Sequence, residues 1–515
     1  MVFPSLTARR GRSLLLLGFG LSYALVSLVN QLTFRTAALD LGYEAQALAG
    51  FAHGLNPRVT LLLDAPPTAY LANHFSLTSV LAVPLYYAVG GPWALLLLQL
   101  LAVLLGLLGV WRYVHEQGGS ARAANWALAF FGCQWGIYSA LSYDYHTNVV
   151  GAMALPWLAR WVAQRRGGRA AAAAGFMLLS KENMALWLAF VLLGLAWQHR
   201  QHRATVSWLL AGAVGALGYF QVVTHSVMPA LDTTHRPFTQ LARYAHLGPT
   251  LPAAVARVLL HPPLLGAVLF KNTLPDPAFD YIKLELWAAV LLSGGWAVLR
   301  RPWYALMLAP ILGQKLLSND FGLWGINQQY SIEFAPVLAL AVADALRAPA
   351  LGAGLPRRAW ALALLGAAGF TLGTLYGRRS EYYDRATENF LQGRHYRSAF
   401  ADPAAVRAAL AQVPPGVALS TTAHLVPHQL NRRDVFHFPV LRTARLVLLP
   451  RQPEAVQQEA WPLARPQALQ VLPQLLADTA HYQVRYQNAE LVLLARRYAP
   501  ADSAQVWAAP AEAQR

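Results

Sequence analysis

The chain has 515 residues, of which 56% are hydrophobic and 13% charged, and a net charge of +17. Its apolar runs are too long and too numerous for the core helices of a soluble protein, which leaves a polytopic membrane protein. The basic residues fall in short clusters between those runs, a pattern for anionic lipid headgroups rather than nucleic acid, and the single Cys133 excludes an intrachain disulfide or a cysteine-based metal site.

In chain order, apolarity and length predict spans at about 13–33, 92–111, 123–141, 147–163, 170–180, 184–197, 205–227, 283–299, 303–317, 331–346 and 358–376. Arg9, Arg10 and Arg12 precede the first run. A cleaved leader would fit that basic start, but no small-x-small site follows, so the run is read as a span. The 170–197 block is split at Lys181-Glu182-Asn183, because three polar residues cost a few kcal/mol each in mid-membrane and little at an interface. His74 to Val89, with Pro84, reads as an interfacial helix. With these segments alternating, Arg112 and Arg122, Arg160 to Arg169, Arg200 and Arg203, Arg300 and Arg301, and Arg347 with Arg357 and Arg358 share the face of the N-terminus. The positive-inside rule makes that face cytoplasmic, and of the acidic residues only Glu116 and Asp344 join it.

Beyond Gly377 the sequence turns polar and rich in Pro and Ala, with apolar strands at 417–420, 446–449 and 491–494 and a helical stretch from Pro403 to Gln412. Ser420-Thr421-Thr422 is expected to cap a helix carrying His424 and His428, a pair spaced for metal but lacking a third ligand. The expected fold is therefore an all-α polytopic membrane protein of about eleven transmembrane helices (1–376, with a first outer loop at 34–76) and a small C-terminal extracytoplasmic α/β domain (377–515). The expected location is the bacterial cytoplasmic membrane, with the N-terminus inside.

The polar residues concentrate in the outer loops. The first holds Arg35, Asp40, Glu44 and His74; the others hold Tyr143 to Asn148, Lys181-Glu182-Asn183, a longer loop from Met228 to Ile282 with His235, Arg236 and Lys271, and Asn319 to Ser331. If 38–53 is helical, Asp40 and Glu44 stand one turn apart on one face. Each cluster sits at the mouth of a helix pair, so packing would draw them to one cavity. Asp40 could instead cap its helix or pair with Arg35, and Lys181 could pair with Asp144. Asp144, His146 and His74 have the donor types for a divalent ion, but no spacing demands one, and neither metal nor cofactor is expected.

Five of these stretches, Asp40-Leu-Gly-Tyr-Glu-Ala-Gln46, Asn73-His-Phe-Ser76, Asp144-Tyr-His146, Lys181-Glu-Asn183 and Gln329-Tyr-Ser331, resemble, in order and setting, the motifs of a bacterial multi-pass membrane protein family of unassigned function. Its usual forms are D-L-G-x-F-x-Q, H-F-S-P, D-F-H-P and K-E-D, and Ser420 to His428 is similar to its S-x-x-x-L-x-P-H stretch. The sequence departs at Tyr43 and Glu44, at Leu77 and Thr147 where Pro is usual, and at Asn183 where an acid is usual. The family looks like a branch of the GT-C glycosyltransferases, which take sugars from polyprenyl-phosphate carriers. That resemblance implies a polyprenyl-phosphate-linked sugar donor, contact with membrane lipids and an acceptor of unknown identity. It places Asp40 as the base, with Glu44 second, and Lys181 as the phosphate cation beside Glu182. His74 and His146 would donate to phosphate or sugar, Arg35 and Asp144 would line the site, Gln329 and Tyr330 would contact sugar or lipid, and Arg236 and Lys271 are weaker cations. A transporter or flippase of a lipid-linked intermediate, and a non-catalytic envelope assembly protein, remain open; the sequence shows no internal repeat of the kind many transporters carry.

Overall fold

The computed structural model describes residues 6–497 apart from 55, 64, 233–238, 348–355, 378–388, 453–461 and 464. Helices dominate as far as Gly377, and their apolar faces meet in one core that includes Leu95, Val103, Leu107, Phe130, Phe131, Leu141, Leu188, Phe334 and Leu338, each fully buried. Among the described residues five helices are long and apolar enough to cross a membrane: Arg10–Leu32, Gly91–Glu116, Arg203–Leu231, Pro277–Arg300 and Arg357–Tyr376. Two bent pairs, Pro252–Leu260 with Pro262–Phe270 (107°) and Phe321–Ser331 with Phe334–Leu346 (70°), raise the number to seven.

The remaining expected spans are helical but short or broken. The 123–141 segment is two helices, Ala121–Gly132 and Trp135–Ser142, and 147–163 is Thr147–Ala152 followed by Leu155–Ala163. The second break has a local cause, since Pro156 at the start of the second helix lacks the N–H that would continue the first. Trp135–Ser142 and Thr147–Ala152 are buried throughout, so neighbouring helices rather than lipid surround their ends. The 170–197 block divides as its polar residues require, into Gly167–Leu178 and Met184–Gln198. The segment expected to be interfacial becomes helical only at Thr78, and exposes Val80, Leu81, Tyr87 and Val89.

Two short strands, β1 (Arg58–Val59) and β2 (Thr68–Ala69), pair antiparallel in the first loop. The tail forms a five-stranded sheet from β3 (Leu419–Thr421), β4 (Val435–His437), β5 (Leu446–Pro450), β6 (Tyr482–Gln487) and β7 (Leu491–Arg496), in the order β4-β3-β5-β7-β6. β3 runs parallel to β4 and β5, while β7 is antiparallel to β5 and β6. Helix Pro403–Ala411 begins where expected, with the Asp402 carboxylate accepting from Ala404 and Ala405 N–H. The expected cap at Ser420-Thr421-Thr422 is not one. Ser420 and Thr421 are strand residues whose hydroxyls donate to the carbonyls of Val440 and Leu448.

This sheet packs directly on the first loop. Ala38, Tyr43, Val59 and Tyr70 share a core with Ala423, Val426 and Val435. Arg58 meets Asp434 at 3.0 Å, Gln46 donates to the Arg433 carbonyl, and the Thr60 hydroxyl donates to the Val435 carbonyl. The glycine of the Asp-Leu-Gly stretch has its reason here, because a Cβ on Gly42 would lie 2.9 Å from Val426 Cγ1.

Candidate functional site

The first loop leaves helix Leu6–Leu32 at Phe34, whose φ of 58° turns the chain over the end of the bundle. Residues 38–42 make one wide helical turn and continue into helix Tyr43–Ala52, the nearly continuous helix that the pattern predicted. Its start is held from 107 positions away, where the Asp144 carboxylate accepts the Ala37 N–H at 2.7 Å. Asp144 sits at a φ of 64° in the break between two buried helices, and Gln99 clamps that break by donating to the Asp144 carbonyl (2.7 Å) and accepting from the His146 N–H (2.8 Å). Burial, and then the neighbouring charge of Asp40, push the Asp144 carboxyl well above the ordinary range, against the backbone N–H groups of Ala37 and Leu41. Asp144 thus caps the turn that carries Asp40, and neither Lys181 nor any other cation pairs with it among the described residues.

The clamp aims His146 at Asp40: Nε2 lies 3.0 Å from Oδ1. The ring stacks on Tyr143 at 5.9 Å. His146 Nδ1 is buried without a partner, so Nε2 carries the proton and donates to the carboxylate. The Asp40 side chain is 24% exposed, and Oδ2 has no hydrogen bond among the described residues.

Glu44 is not on a solvated face. It is 7% exposed, and Oε2 accepts from Tyr70 Oη (2.8 Å) and Ser79 Oγ (3.3 Å). Burial raises its pKa to about 7, against the pull of those hydroxyls and of Lys181.

A second pair joins the first loop to the 179–183 turn. Leu77 N–H donates to the Leu179 carbonyl, Glu182 Oε2 accepts the Phe75 N–H at 3.0 Å, and Glu182 Oε1 lies 3.3 Å from His74 Nδ1. Burial first, then Lys181, lower the His74 pKa. Nδ1 faces the Glu182 carboxylate and so carries a proton, while Nε2 has no hydrogen bond among the described residues. Burial works against the Glu182 charge, but His74 and Lys181 outweigh it and hold that carboxyl below its usual range.

Lys181 stands among these groups, within the electrostatic reach of Glu44, His74, Glu182 and Glu333. Among the described residues no carboxylate comes within ion-pair distance of its ammonium. Tyr330, on the turn Gln328–Ser331, feels the Asp40 charge, and Gln329 beside it is buried. That turn lies close on helix Trp135–Ser142 because residue 136 is glycine: a Cβ there would collide with the Ser331 carbonyl oxygen.

Of the expected site residues, Asp40, Glu44, His74, Asp144, His146, Lys181, Glu182, Gln329 and Tyr330 therefore gather around one end of the bundle. Arg35 does not aim into this group. Its guanidinium donates to the carbonyls of Arg397 (2.8 Å) and Arg394 (3.4 Å), fastening the tail to the first loop, and Asp40 pairs with His146 instead. His424 and His428 are also structural: His424 Nδ1 meets the Thr36 carbonyl at 3.0 Å, and His428 packs on Phe34 at 4.5 Å. Lys271 is exposed and makes no ion pair among the described residues, and Arg236 and His235 lie outside them. No group of three His, Cys, Asp or Glu side chains is arranged to hold a metal among the described residues.

Three further charged residues border the site. Glu333 accepts from Asn148 Nδ2 at 3.0 Å, Lys315 Nζ donates to the Tyr330 carbonyl at 3.2 Å, and Arg243 meets Asp320 at 3.5 Å. For Lys315 and Glu333 a signal existed, a lone charge inside or at the end of an apolar helix, which is expensive unless it has work to do. Arg243 carried none.

No curated protein matches the chain. In fold it is similar to ArnT from Cupriavidus metallidurans, solved bound to undecaprenyl phosphate, with a TM-score of 0.52 at 15% identity over 94% of this chain and 97% of that one. The model of a family described as a predicted membrane protein (DUF2079) matches residues 31–493, which is most of the chain and includes both the helical bundle and the sheet, so the chain belongs to that family.

Proposed function

We propose that the protein is a membrane glycosyltransferase of the GT-C kind, moving a sugar from a polyprenyl-phosphate donor to an acceptor hydroxyl at the outer face of the bacterial cytoplasmic membrane. In this reading residues 1–376 form the membrane domain, and 377–515 an extracytoplasmic domain that closes over the first loop. The observation that carries the reading is the Asp40 carboxylate held 3.0 Å from His146 Nε2, with one oxygen left open, in the same cluster as the unpaired ammonium of Lys181. The ArnT-like fold supports it, because that protein was solved with the bare lipid phosphate such a reaction would release.

The chemistry needs a base and a cation. The acceptor oxygen attacks the anomeric carbon, its proton passes to Asp40 Oδ2, and the bond from that carbon to the phosphate oxygen breaks with its electron pair on the departing phosphate. His146 keeps Asp40 oriented, and Asp144 holds the turn beneath it. Lys181 meets the phosphate charge, while Glu182 fixes His74 so that its Nε2 can accept a hydroxyl proton. Glu44, with one oxygen taken by two hydroxyls, is the less available base. Gln329 and Tyr330 form the opposite wall against sugar or lipid. The test is incubation of purified protein with a panel of polyprenyl-phosphate sugars and candidate hydroxyl acceptors, following release of free lipid phosphate. At least one donor should be consumed, and consumption of none under any acceptor condition overturns the reading.

A further inference from the structure

Around Glu333 the structure leaves hydrogen-bond acceptors without donors. Asn148 Nδ2 is committed to Glu333 Oε1, which turns the amide oxygen Asn148 Oδ1 away from it, buried and unpartnered. Gln329 Oε1 and Ser331 Oγ are likewise buried without a partner, and all three residues are more than nine-tenths buried. An unmet buried acceptor is costly, so several together mark a place where a ligand supplies the donors. Gln329, Ser331 and Glu333 lie at the 70° break between Phe321–Ser331 and Phe334–Leu346, and Asn148 reaches Glu333 from helix Thr147–Ala152. The site is continuous with the first: Asn148 is two residues from His146, and Gln329 adjoins Tyr330.

The missing donors are neutral. Burial disfavours the Glu333 charge, and the Asn148 amide and then the charges of Lys315 and Lys181 already work against that penalty, so the site does not call for a further cation. Two unpaired amide oxygens beside a carboxyl already bonded to Asn148 are a set for hydroxyl groups spaced along a small polyol.

We propose that Asn148, Gln329 and Glu333 form the subsite that recognises the hydroxyls of the transferred sugar; this rests on the glycosyltransferase reading and names the part of the site that selects its donor. Glu333→Gln keeps an oxygen for Asn148 but gives up the charged acceptor. Gln329→Ala removes an amide oxygen that no protein group uses, together with one side-chain contact to Tyr330, so it is the milder change should the first variant fail to fold.

The experiment measures binding of undecaprenyl phosphate, and of a panel of undecaprenyl-phosphate hexoses and pentoses, to the full chain in detergent. The wild type should hold at least one sugar-bearing lipid roughly tenfold more tightly than the bare phosphate, the worth of one or two such bonds. Either variant should bring that ratio close to one while leaving affinity for the bare phosphate within about twofold. A ratio that survives in Gln329→Ala, or a wild type that binds bare and sugar-bearing lipid equally, overturns the subsite and leaves a lipid-phosphate site standing. A wild type that binds neither overturns both.

Discussion

The bundle has a buried carboxylate cluster at each end, and the two are built differently. Helix Gly91–Glu116 spans them: Gln99 clamps the Asp144 turn, and Tyr113, fourteen residues and so roughly 21 Å further along, donates to Asp344. At the Asp344 end each valence is met. Its carboxylate accepts from Tyr113, from Tyr304 at 2.7 Å and from Gln198 at 2.7 Å, and Arg301 covers the carbonyl of the same residue. Nearby, Glu116 takes both arms of a bidentate contact from Arg160. At the Asp40 end the groups are held just as firmly, but they keep open atoms: Asp40 Oδ2, His74 Nε2, the Lys181 ammonium and the amide oxygens of Asn148 and Gln329. A closed network stabilises a fold, whereas an open one held rigid is prepared for a ligand.

Matched substitutions break or confirm this contrast most sharply. Asp40→Asn keeps the shape and loses the base, so turnover of a responsive donor should fall about 10²–10⁴-fold with the detergent melting temperature unchanged. Asp344→Ala should do the reverse. It strands two tyrosine hydroxyls and an amide in the interior, costing about 3 kcal/mol or more, with the per-molecule rate of the surviving folded protein unchanged. An Asp40 variant that melts early, or an Asp344 variant that stays stable but inactive, would erase the distinction.

How much of this the sequence revealed depended on the range of the interaction. The helical bundle, the split at Lys181-Glu182-Asn183 and the apolar strands of the tail were legible because hydrophobic runs and local polar interruptions are local signals. The gathering of Asp40, His146, His74 and Lys181 was legible from connectivity, since each polar cluster sits at the mouth of a helix pair, and from the motifs that carried the family resemblance. What each side chain does within that gathering was not. Asp144 reads in sequence as a site-lining carboxylate or the partner of Lys181 and proves to be a cap on a turn 107 residues away, a contact that no period encodes. Arg35 misled for the same reason, since it is taken up by tail carbonyls, and the bonds that Tyr70 and Ser79 make to Glu44 were equally hidden. The break of the expected 147–163 span into Thr147–Ala152 and Leu155–Ala163 escaped span-counting because burial inside the bundle removes the length requirement that lipid imposes.

Glu44 tests whether the open end also stores a cost. Its pKa is raised from 4.5 to about 7, so between those values the folded state binds more protons than the unfolded state, and stability falls as pH rises through that window. The raised pKa makes that loss up to about 3 kcal/mol by pH 8. Glu44→Gln should flatten the decline, melting at nearly the same temperature at pH 5 and pH 8 while the parent loses several degrees. A parent whose melting is flat across that range would show that Glu44 keeps its charge without penalty. Next in size, Lys181→Met should weaken binding of bare undecaprenyl phosphate about tenfold to a hundredfold, the worth of one charge-assisted contact, with a modest drop in melting temperature because no ion pair is lost but its pull on Glu44 and Glu182 is. Unaltered affinity would move the phosphate elsewhere.

The smallest effect is the most telling about the closed end. Tyr113→Phe removes one of the donors to Asp344 and the weaker of the two acceptors of the Gln198 amide, at 3.3 Å, and leaves Tyr304 and Gln198 donating to the carboxylate, so Asp344 stays bonded. The cost should be about 1 kcal/mol, seen as a small drop in melting temperature with donor turnover unchanged. A shared network loses one member gradually, whereas the open end has a single oxygen or a single ammonium for each task and no neighbour to take over. If Tyr113→Phe abolished turnover while shifting melting only slightly, Asp344 would be communicating with the far end of the bundle, and the division between a structural end and a working end would fail.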